Sequence, residues 1–340
     1  MTKHATPQDI DIVVTYLDSS DQEWLKERDH WRRMSTDIPE DENTEVRYRN
    51  MNNFHFLLRS IEAYAPWVHK VHIVTWGHLP EWLDTNHPKL NIVTHQAFIP
   101  KECLPTFNSN AIEIQFDRIP GLAEYFINMN DDMFLNAPTQ ASDFFRDGKP
   151  RLDITYHPFT PPWFVRANNI TALNSIVDNP RPITKKLFSP KNGWRSVLKN
   201  IYFLPLVKSS GKFIGFHAAH LTSPTTKTIY KEVKSRLPEH VAYVAYSKFR
   251  DSRDNRAINQ WIMQDYARAT NQFVPHNSAK FGKHLLFDEK TDFDRLFRSS
   301  YKVLSLSDDD QLSQDEFERA ITQMNNAFAK KFPHKSSFEK

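Results

Sequence analysis

This 340-residue sequence contains a β-branched, nearly continuous apolar run from Ile10 to Leu17, which ends at Asp18. Uninterrupted runs of this kind are typical of strands that are buried on both faces of a helix-covered sheet. A second such segment, Glu124 to Asn130, leads directly into Asp131 and Asp132. Two buried strands that end in carboxylates predict an α/β sheet with acidic side chains at one edge.

The chain between these two strands alternates between helical and extended patterns. Apolar residues recur at helical spacing from Phe54, which predicts a helix over Asn52–Tyr64. Strands are predicted at Val71–Trp76 and Leu90–Thr94, and another helix begins near Asn110. A capping box of Ser20 and Glu23 predicts a helix after the first strand. The order β-α-β-β-α-β predicts a Rossmann-like α/β fold with a mixed or mostly parallel sheet flanked by helices.

After about residue 150 the pattern becomes mainly helical. Helices are predicted at Val165–Val177, Trp194–Leu204, Thr225–Leu237 and Arg256–Ala269, and a last one begins at Ser313. The expected organisation is an α/β half, residues 1–150, and a mainly helical half, residues 151–340. We expect the helical half to complete the same site within one compact domain.

Composition excludes several classes of protein. The net charge of +3 is too small for a dedicated nucleic-acid binder, although it suits an anionic substrate or brief contact with a membrane surface. The 7 glycines form neither GxGxxG nor a Walker A motif. A single cysteine, Cys103, excludes an internal disulfide framework and a Cys-rich zinc site. With no signal peptide pattern at the N-terminus, these features predict a cytoplasmic protein.

Three carboxylates at predicted strand ends are candidate functional residues. Asp131 and Asp132 can hold Mg²⁺ or Mn²⁺ on a diphosphate, or one of them can act as a base. The alternative is a solvated turn. If the first and fourth strands are parallel, Asp18 lies at the same edge. The alternative is an Asx-turn or a helix cap that involves Ser19, Ser20 and Asp21.

The segment before Glu113 is rich in Asn and Ser, and it opens a predicted helix. Such an N-terminus, with Asn108 and Ser109, can bind phosphate or sugar hydroxyls. The alternative is a capping box formed by Asn110 and Glu113.

His220 and two arginines complete the candidates. His220 precedes a predicted helix with Ser223 as N-cap and Pro224 at its first position, which would lower the pKa of the imidazole and suit a base. The alternative is a structural histidine, with His217 as the rival. Arg195 and Arg250 lie at or just before predicted helix starts, where a bidentate guanidinium can hold phosphate. A solvated basic surface is the alternative for both.

These residues lie in longer strings that resemble the Stealth family, the hexose-1-phosphate transferases of bacterial capsule and cell-wall polysaccharide synthesis. The animal N-acetylglucosamine-1-phosphotransferase shares the same core. The similarity covers nearly the whole chain in four regions: IDIVVTYLDSSDQEW at 10–24; a long stretch that includes LPTFNSNAIE and ends in NDDMFL; His220 to Asp254; and Val303–Asp308 with the 332–340 tail. Where the fourth region usually has Asn-Asp, this chain has Ser307-Asp308.

The resemblance implies a fold of the nucleotide-sugar transferase type. It also implies transfer of a sugar-1-phosphate from a UDP-sugar donor to a hydroxyl of a glycan or lipid-linked glycan acceptor. The residues that match the family's functional positions are catalytic Glu113, Asp132, Arg195, His220 and Arg250; substrate-binding Asp18, Asn108, Ser109 and Asp254; and Asp131, Asp132 and Asp308 as ligands of Mg²⁺ or Mn²⁺.

Three functions remain open at this level. A phosphotransferase would release UMP, an ordinary glycosyltransferase would release UDP, and a non-catalytic sugar-binding protein would release neither. For the first, we expect His220 to act as base and Asp132 as a ligand or orienting group. The basic stretches Lys227–Arg236 and Lys330–Lys340 predict peripheral contact with the inner face of the cytoplasmic membrane.

Overall fold

A computed structural model describes residues 9–159, 164–177, 184–309 and 311–340. The strands are β1 (Ile10–Tyr16), β2 (Val71–Thr75), β3 (Leu90–Thr94), β4 (Tyr125–Met129), β5 (Met133–Leu135), β6 (Phe145–Arg146), β7 (Lys149–Leu152), β8 (Ser223–Thr226), β9 (Val274–Pro275), β10 (Gly282–Phe287) and β11 (Val303–Asp308). The helices of the first half are α1 (Gln22–Met34), α2 (Phe54–Tyr64), α3 (His95–Phe98), α4 (Ser109–Glu113) and α5 (Ala141–Phe144). Those of the second half are α6 (Phe164–Ile176), α7 (Thr184–Leu187), α8 (Trp194–Ser210), α9 (Lys227–Arg236), α10 (Pro238–Tyr246), α11 (Trp261–Ala269), α12 (Ser278–Phe281), α13 (Phe293–Phe297) and α14 (Gln314–Lys331).

The central sheet has the strand order β3-β2-β1-β4-β8. The first four strands are mutually parallel, and β8 joins the edge antiparallel to β4. The α/β fold with a mostly parallel sheet is therefore confirmed. The strand order reverses between β1 and β4, and α/β proteins bind ligands beyond the carboxyl ends of the strands at such a switch point.

The apolar run in β1 is continuous because the strand is buried on both faces. Ile10, Ile12 and Val14 pack into one hydrophobic core, while Val13 packs into the other. Successive side chains of a strand point to opposite faces, so a strand between two cores needs apolar residues at nearly every position.

The C-terminal quarter of the chain packs back onto the first half. β11 pairs with β5 in antiparallel register, which sets Ser305 opposite Met133. Phe317 and Phe328 of α14 share a core with Phe134 and with the even-numbered residues of β1. This shared core agrees with a single site built by both halves, whereas the division at residue 150 stays a prediction.

Several predicted boundaries are wrong for local reasons. Ser223 and Pro224 belong to strand β8, and Thr226 caps α9 by accepting a hydrogen bond from the Ile229 amide at 3.1 Å. Proline is tolerated there because β8 is an edge strand. Asp21, rather than Ser20, caps α1.

Two predicted helices are also shorter than expected. The one near Asn110 is limited to α4 and is followed by a single 3-10 turn at Phe116–Arg118. The helix predicted from Arg256 begins at Trp261, and a separate helix, α10, precedes it with Pro238 in its first turn.

The C-terminal tail is fastened by an ion pair that is shielded from solvent. Arg59 donates to both carboxylate oxygens of Glu339, at 2.7 and 2.6 Å, and to the carbonyl of Phe332 at 2.9 Å. Burial alone would raise the pKa of Glu339, but the hydrogen bonds from Arg59 and Ser336 outweigh it, and the pKa lies below its usual value. The neighbouring Phe338 is buried in the core.

We expect Glu339→Gln to lower the free energy of unfolding by about 2 to 4 kcal/mol at pH 7, because it leaves Arg59 without its charged partner. A carboxylate whose pKa is lowered by folding stabilises the protein above its unfolded pKa, and this contribution is lost as the pH falls through the folded value. The difference between variant and wild type should therefore shrink below about pH 4.3. Urea unfolding at several pH values measures it.

Glu318→Gln is the matched control, because Glu318 is exposed on α14. Its effect should stay within about 0.5 kcal/mol. A Glu339→Gln variant as stable as the control would show that the Arg59–Glu339 ion pair does not stabilise the fold.

Candidate active site

The carboxyl ends of β1 and β4 bring Asp18 and Asp131 to one edge of the sheet, as the sequence predicts. Val14 is in register with Met129, so both strands end at the same level. The pKa of Tyr16 is raised to about 12, mainly by burial and to a smaller extent by the negative charges of Asp18 and Asp131. The phenol at the end of β1 is therefore close enough to both carboxylates to respond to them.

Asp18 also has a structural role in its own loop. Its Oδ1 accepts hydrogen bonds from the Ser20 amide at 2.9 Å and from the Ser20 hydroxyl at 2.6 Å. The Asp18 amide donates to Nε2 of His78 at 2.7 Å. The Asx-turn alternative is thus correct, and it holds Asp18 at the sheet edge.

Asp132 lies within hydrogen-bond distance of three side chains. Its Oδ2 accepts from the hydroxyls of Ser307 at 2.6 Å and Ser305 at 3.3 Å, and it lies 3.3 Å from Nε2 of His220. The Leu306 amide donates to its carbonyl at 2.8 Å. Its other carboxylate oxygen, Oδ1, is buried and has no hydrogen-bond partner.

The pKa values of the adjacent Asp131 and Asp132 carboxyls are shifted in opposite directions. Burial would raise the pKa of Asp132, but its hydrogen bond to His220, its hydrogen bond to Ser307 and nearby histidine charge outweigh burial and lower it. Asp131 is exposed, but the surrounding protein partly desolvates its carboxyl. This desolvation, together with the smaller effect of the Asp132 charge, raises the pKa of Asp131 to about 7. An arrangement that separates two neighbouring pKa values in this way is characteristic of functional sites.

His220 does not lie at a helix N-terminus, because the segment that follows it forms strand β8. The predicted lowering of its pKa is therefore wrong. Burial lowers that pKa, but the hydrogen bond to Asp132 and the charges of Asp132 and Glu113 outweigh burial, so it lies above its usual value. The hydrogen bond to Asp132, which the sequence pattern did not predict, is the main reason that the pKa of His220 is raised.

Glu113 and Arg250 flank this pair. Glu113 is buried at the end of α4, and desolvation raises the pKa of its carboxyl to about 7 although the charges of Arg250 and His220 act in the other direction. The Arg250 guanidinium donates to the Ser109 hydroxyl, and its backbone exchanges hydrogen bonds with the Asn43 side chain. Glu113, His220 and Arg250 are therefore close enough to influence one another's charge.

The segment before α4 is bound to the segment that carries Arg250. The Phe107 amide donates to the Lys248 carbonyl at 2.8 Å, and Asn108 Nδ2 donates to the Phe249 carbonyl at 3.3 Å. Asn108 also caps α4 by accepting from the Asn110 amide at 3.0 Å. The predicted Asn110–Glu113 capping box is therefore wrong, and Asn108 and Ser109 lie beside Arg250.

Two predicted site residues lie apart from this group. Arg195 is exposed on the first turn of α8, with its guanidinium 5.3 Å from the Trp194 ring centre. Asp254 forms a surface ion pair with Arg256 at 2.7 Å. Their catalytic and substrate-binding roles stay predictions.

Asp308 lies at the end of β11 and faces a different partner. Its Oδ2 lies 3.2 Å from Nη1 of Arg49. The preceding residue, Ser307, points to the opposite face of the strand and bonds Asp132. A role for Asp308 as a metal ligand stays a prediction.

The described ranges contain no group of three or more His, Cys, Asp or Glu side chains placed to hold a metal. Mg²⁺ commonly needs only one or two protein carboxylates when substrate phosphates and water fill its other positions. Asp131 and the unpartnered Oδ1 of Asp132 fit that smaller donor set.

Sequence reasoning missed His284, Ser305 and Ser307. The His284 ring lies 4.8 Å from that of His220, and its Nε2 lies 3.0 Å from the Ser307 hydroxyl. The available signal was the spacing of the two serines, which places both on one face if the segment is extended. The similarity to a Stealth region at this point could also have drawn attention to Ser307.

A cleft of about 870 Å³ opens beyond the carboxyl ends of β2 and β3. Its lining includes Trp31, Trp76, Glu27 and the segment 104–106 that leads to Asn108. Trp76 Nε1 donates to Glu27 at 2.9 Å, which fixes one aromatic wall. Aromatic faces of this kind can stack on a base or a sugar ring.

A mostly parallel sheet with an Asp–His pair at its switch point defines an α/β protein with a candidate acid–base site. Comparison with known proteins gives the family. The region described as Stealth protein CR2, conserved region 2, matches residues 47–152. The capsular polysaccharide phosphotransferase WcwK of Streptococcus pneumoniae is 34% identical over 339 residues, which covers 97% of this chain and 99% of the relative.

An exopolysaccharide phosphotransferase of Lactiplantibacillus plantarum is 31% identical and covers 98% of this chain and 97% of its own length. Among solved structures, the apo form of the WbbM bifunctional glycosyltransferase has a TM-score of 0.41 at 10% identity, covering 96% of this chain and 50% of that one. The chain belongs to the Stealth family and is a transferase of phosphorus-containing groups.

Proposed function

We propose that the protein moves a sugar-1-phosphate from a UDP-sugar to a hydroxyl of a glycan or lipid-linked glycan, and that it does so in capsular or cell-surface polysaccharide synthesis. Relatives named as polysaccharide phosphotransferases support this function. The observation that carries it is the Asp132–His220 pair beside Arg250 at the switch point of the sheet. We place the reaction in the cytoplasm, consistent with the one free, buried Cys103.

The proposed step is a displacement at phosphorus. The acceptor oxygen forms a bond to the phosphorus that carries the sugar, while the bond from that phosphorus to the bridging oxygen of UMP breaks. Because Nε2 of His220 faces Asp132, the neutral ring carries its proton there and leaves Nδ1 to accept the acceptor's proton. Asp132 then stabilises the imidazolium that forms.

Glu113 and the cleft have separate parts in this proposal. The pKa of Glu113 is about 7, so its carboxyl can hold or release a proton next to His220 under working conditions. The tryptophans of the cleft are placed to stack on the nucleotide. Asp18, just beyond the carboxyl end of β1, is proposed to bind the same donor.

Arg250→Lys should lower kcat/KM by about 10²-fold. A lysine keeps the charge but lacks the planar guanidinium, which can donate to the Ser109 hydroxyl and to a phosphate oxygen at the same time. Steady-state rates of nucleotide release measure it. Arg253→Lys is the matched control from the same segment, since Arg253 pairs with Asp37 and Asp251 at the surface. Equal rates for the two variants would make Arg250 a purely structural residue.

Activity should depend on Mg²⁺ or Mn²⁺, for which Asp131 and Asp132 are the proposed ligands. The hard cation would neutralise the diphosphate and the developing charge on UMP. Excess EDTA should abolish nucleotide release, and either cation should restore it. Undiminished turnover in EDTA would show that the arginine and histidine charges are sufficient.

The released nucleotide tests the proposed function directly. Purified protein is incubated with a panel of UDP-sugars and glycan acceptors, and the nucleotide product is identified by chromatography. UMP is the expected product, because attack at phosphorus leaves the second phosphate on the sugar. Release of UDP would mean attack at the anomeric carbon and an ordinary glycosyltransferase, and no turnover across the panel would favour a sugar-binding protein.

A further inference from the structure

Helix α8 presents an apolar face to solvent. Trp194, Leu198, Ile201, Tyr202 and Leu206 are each between 52% and 77% exposed. Their spacing places them on one side of the helix. Among the ten exposed large hydrophobic residues of the described chain, these five and Phe188 account for six. Monomeric proteins rarely leave so concentrated an apolar surface without a binding role.

The opposite side of α8 is fixed to the protein core, so this face cannot simply turn inward. Asn200 is fully buried; its side chain accepts from the Tyr156 amide at 2.8 Å and donates to the carbonyls of Ile154 and Leu187 at 2.9 and 3.0 Å. Val207, two turns further on, is buried in the core. The helix therefore holds its outer apolar residues outward as a rigid surface.

The charge of the segment that carries this face has one sign. Residues 184–212 contain seven lysines and arginines and no aspartate or glutamate, although the whole chain has a net charge of only +3. Six of the seven are exposed: Lys185, Lys191, Arg195, Lys199, Lys208 and Lys212. By helical geometry, Arg195 and Lys199 lie along one border of the apolar face and Lys208 along the other.

We propose that the outer face of α8 binds the surface of a membrane that contains anionic lipids, with the helix in the plane of the interface. Helices with an apolar face bordered by Lys and Arg bind in this orientation, and Trp and Tyr favour the headgroup level. None of the helices within the described ranges is long and apolar enough to cross a membrane. Association with a second copy through the same face would bring two strongly basic segments together.

This surface differs from the basic stretches that the sequence suggested. In the Lys227–Arg236 stretch, the apolar residues Ile229, Tyr230 and Val233 are buried in the core. That helix can offer charge to a membrane but no apolar anchor. Only α8 combines both features within a single helix of the described chain.

Vesicle binding tests the proposal without reference to the transfer reaction. The full chain is mixed with vesicles of phosphatidylcholine alone and of phosphatidylcholine with phosphatidylglycerol, and the bound fraction is measured by sedimentation. Wild type should bind the anionic vesicles and lose binding as salt is raised. Trp194→Ser/Tyr202→Ser should weaken this binding by about tenfold or more.

The control is Met34→Ser/Tyr246→Ser, which removes two hydrophobic residues of comparable exposure from other surfaces and should bind like wild type. Lys199→Glu/Lys208→Glu should also weaken binding to anionic vesicles by about tenfold or more, and it keeps the proposal testable if the apolar variant fails to fold. No binding by wild type, or equal binding by both serine variants, would overturn the proposal. Wild-type dimers that the apolar variant disperses, without vesicle binding, would assign the face to a second copy.

Discussion

Asp132→Asn is expected to lower kcat/KM by about 10³-fold or more while leaving the protein folded. The amide keeps the size of the side chain and an oxygen that can accept from Ser307 and Ser305. It loses the charge that raises the pKa of His220, and it offers a poorer ligand to a divalent cation. Initial rates of nucleotide release, with circular dichroism and urea unfolding as checks on folding, measure the effect.

Asp294→Asn provides the matched control. Asp294 pairs with Lys330 at the surface, at 3.0 Å, and has no contact with the site. Its rate should stay within about twofold of wild type, because exposed ion pairs contribute little. If Asp132→Asn turned over as fast as this control, the strand-end carboxylate would have no part in the chemistry.

The parts of the fold that the sequence predicts are those set by local burial. β1 and β4 are buried on both faces, so their apolar runs are nearly continuous. Acidic residues follow the carboxyl end of each strand. The sheet edge that gathers Asp18 and Asp131 follows from these two patterns once the two strands are parallel, which the structure confirms. The helix predicted at Thr225–Leu237 is present as α9, but its start is shifted to Lys227, because pairing with β4 draws the preceding Ser-Pro-Thr-Thr sequence into β8.

The partners of Asp132 lie beyond the reach of such reasoning. Ser305 and Ser307 are more than 170 residues away in sequence, and they reach Asp132 only because β11 pairs with β5. His284 joins them through the parallel pairing of β10 with β11. No local pattern fixes a pairing of this kind, so the sequence identified His220 but assigned the wrong direction to its pKa.

Because the pKa of His220 is raised, we expect kcat/KM to fall on the acidic side with a midpoint above about pH 6.5. A general base works only when it is deprotonated, so activity rises with pH through the pKa of His220. Because Asp132 raises that pKa, the limb lies higher than it would for a histidine at a helix N-terminus. His220→Ala should flatten the limb and lower kcat/KM by about 10²- to 10⁴-fold.

Glu113 and Asp131 also have pKa values of about 7, so the shape of the profile alone cannot assign the limb. Three variants separate the candidates. Glu113→Gln and Asp131→Asn should each keep the limb, whereas the residual activity of Asp132→Asn should show it at lower pH, because the carboxylate that raises the pKa of His220 is gone. An NMR titration of the His220 ring in the free protein should report the same midpoint. A limb that persists in His220→Ala and disappears in Glu113→Gln would transfer the role of base to the buried carboxylate, with His220 as its positioning residue.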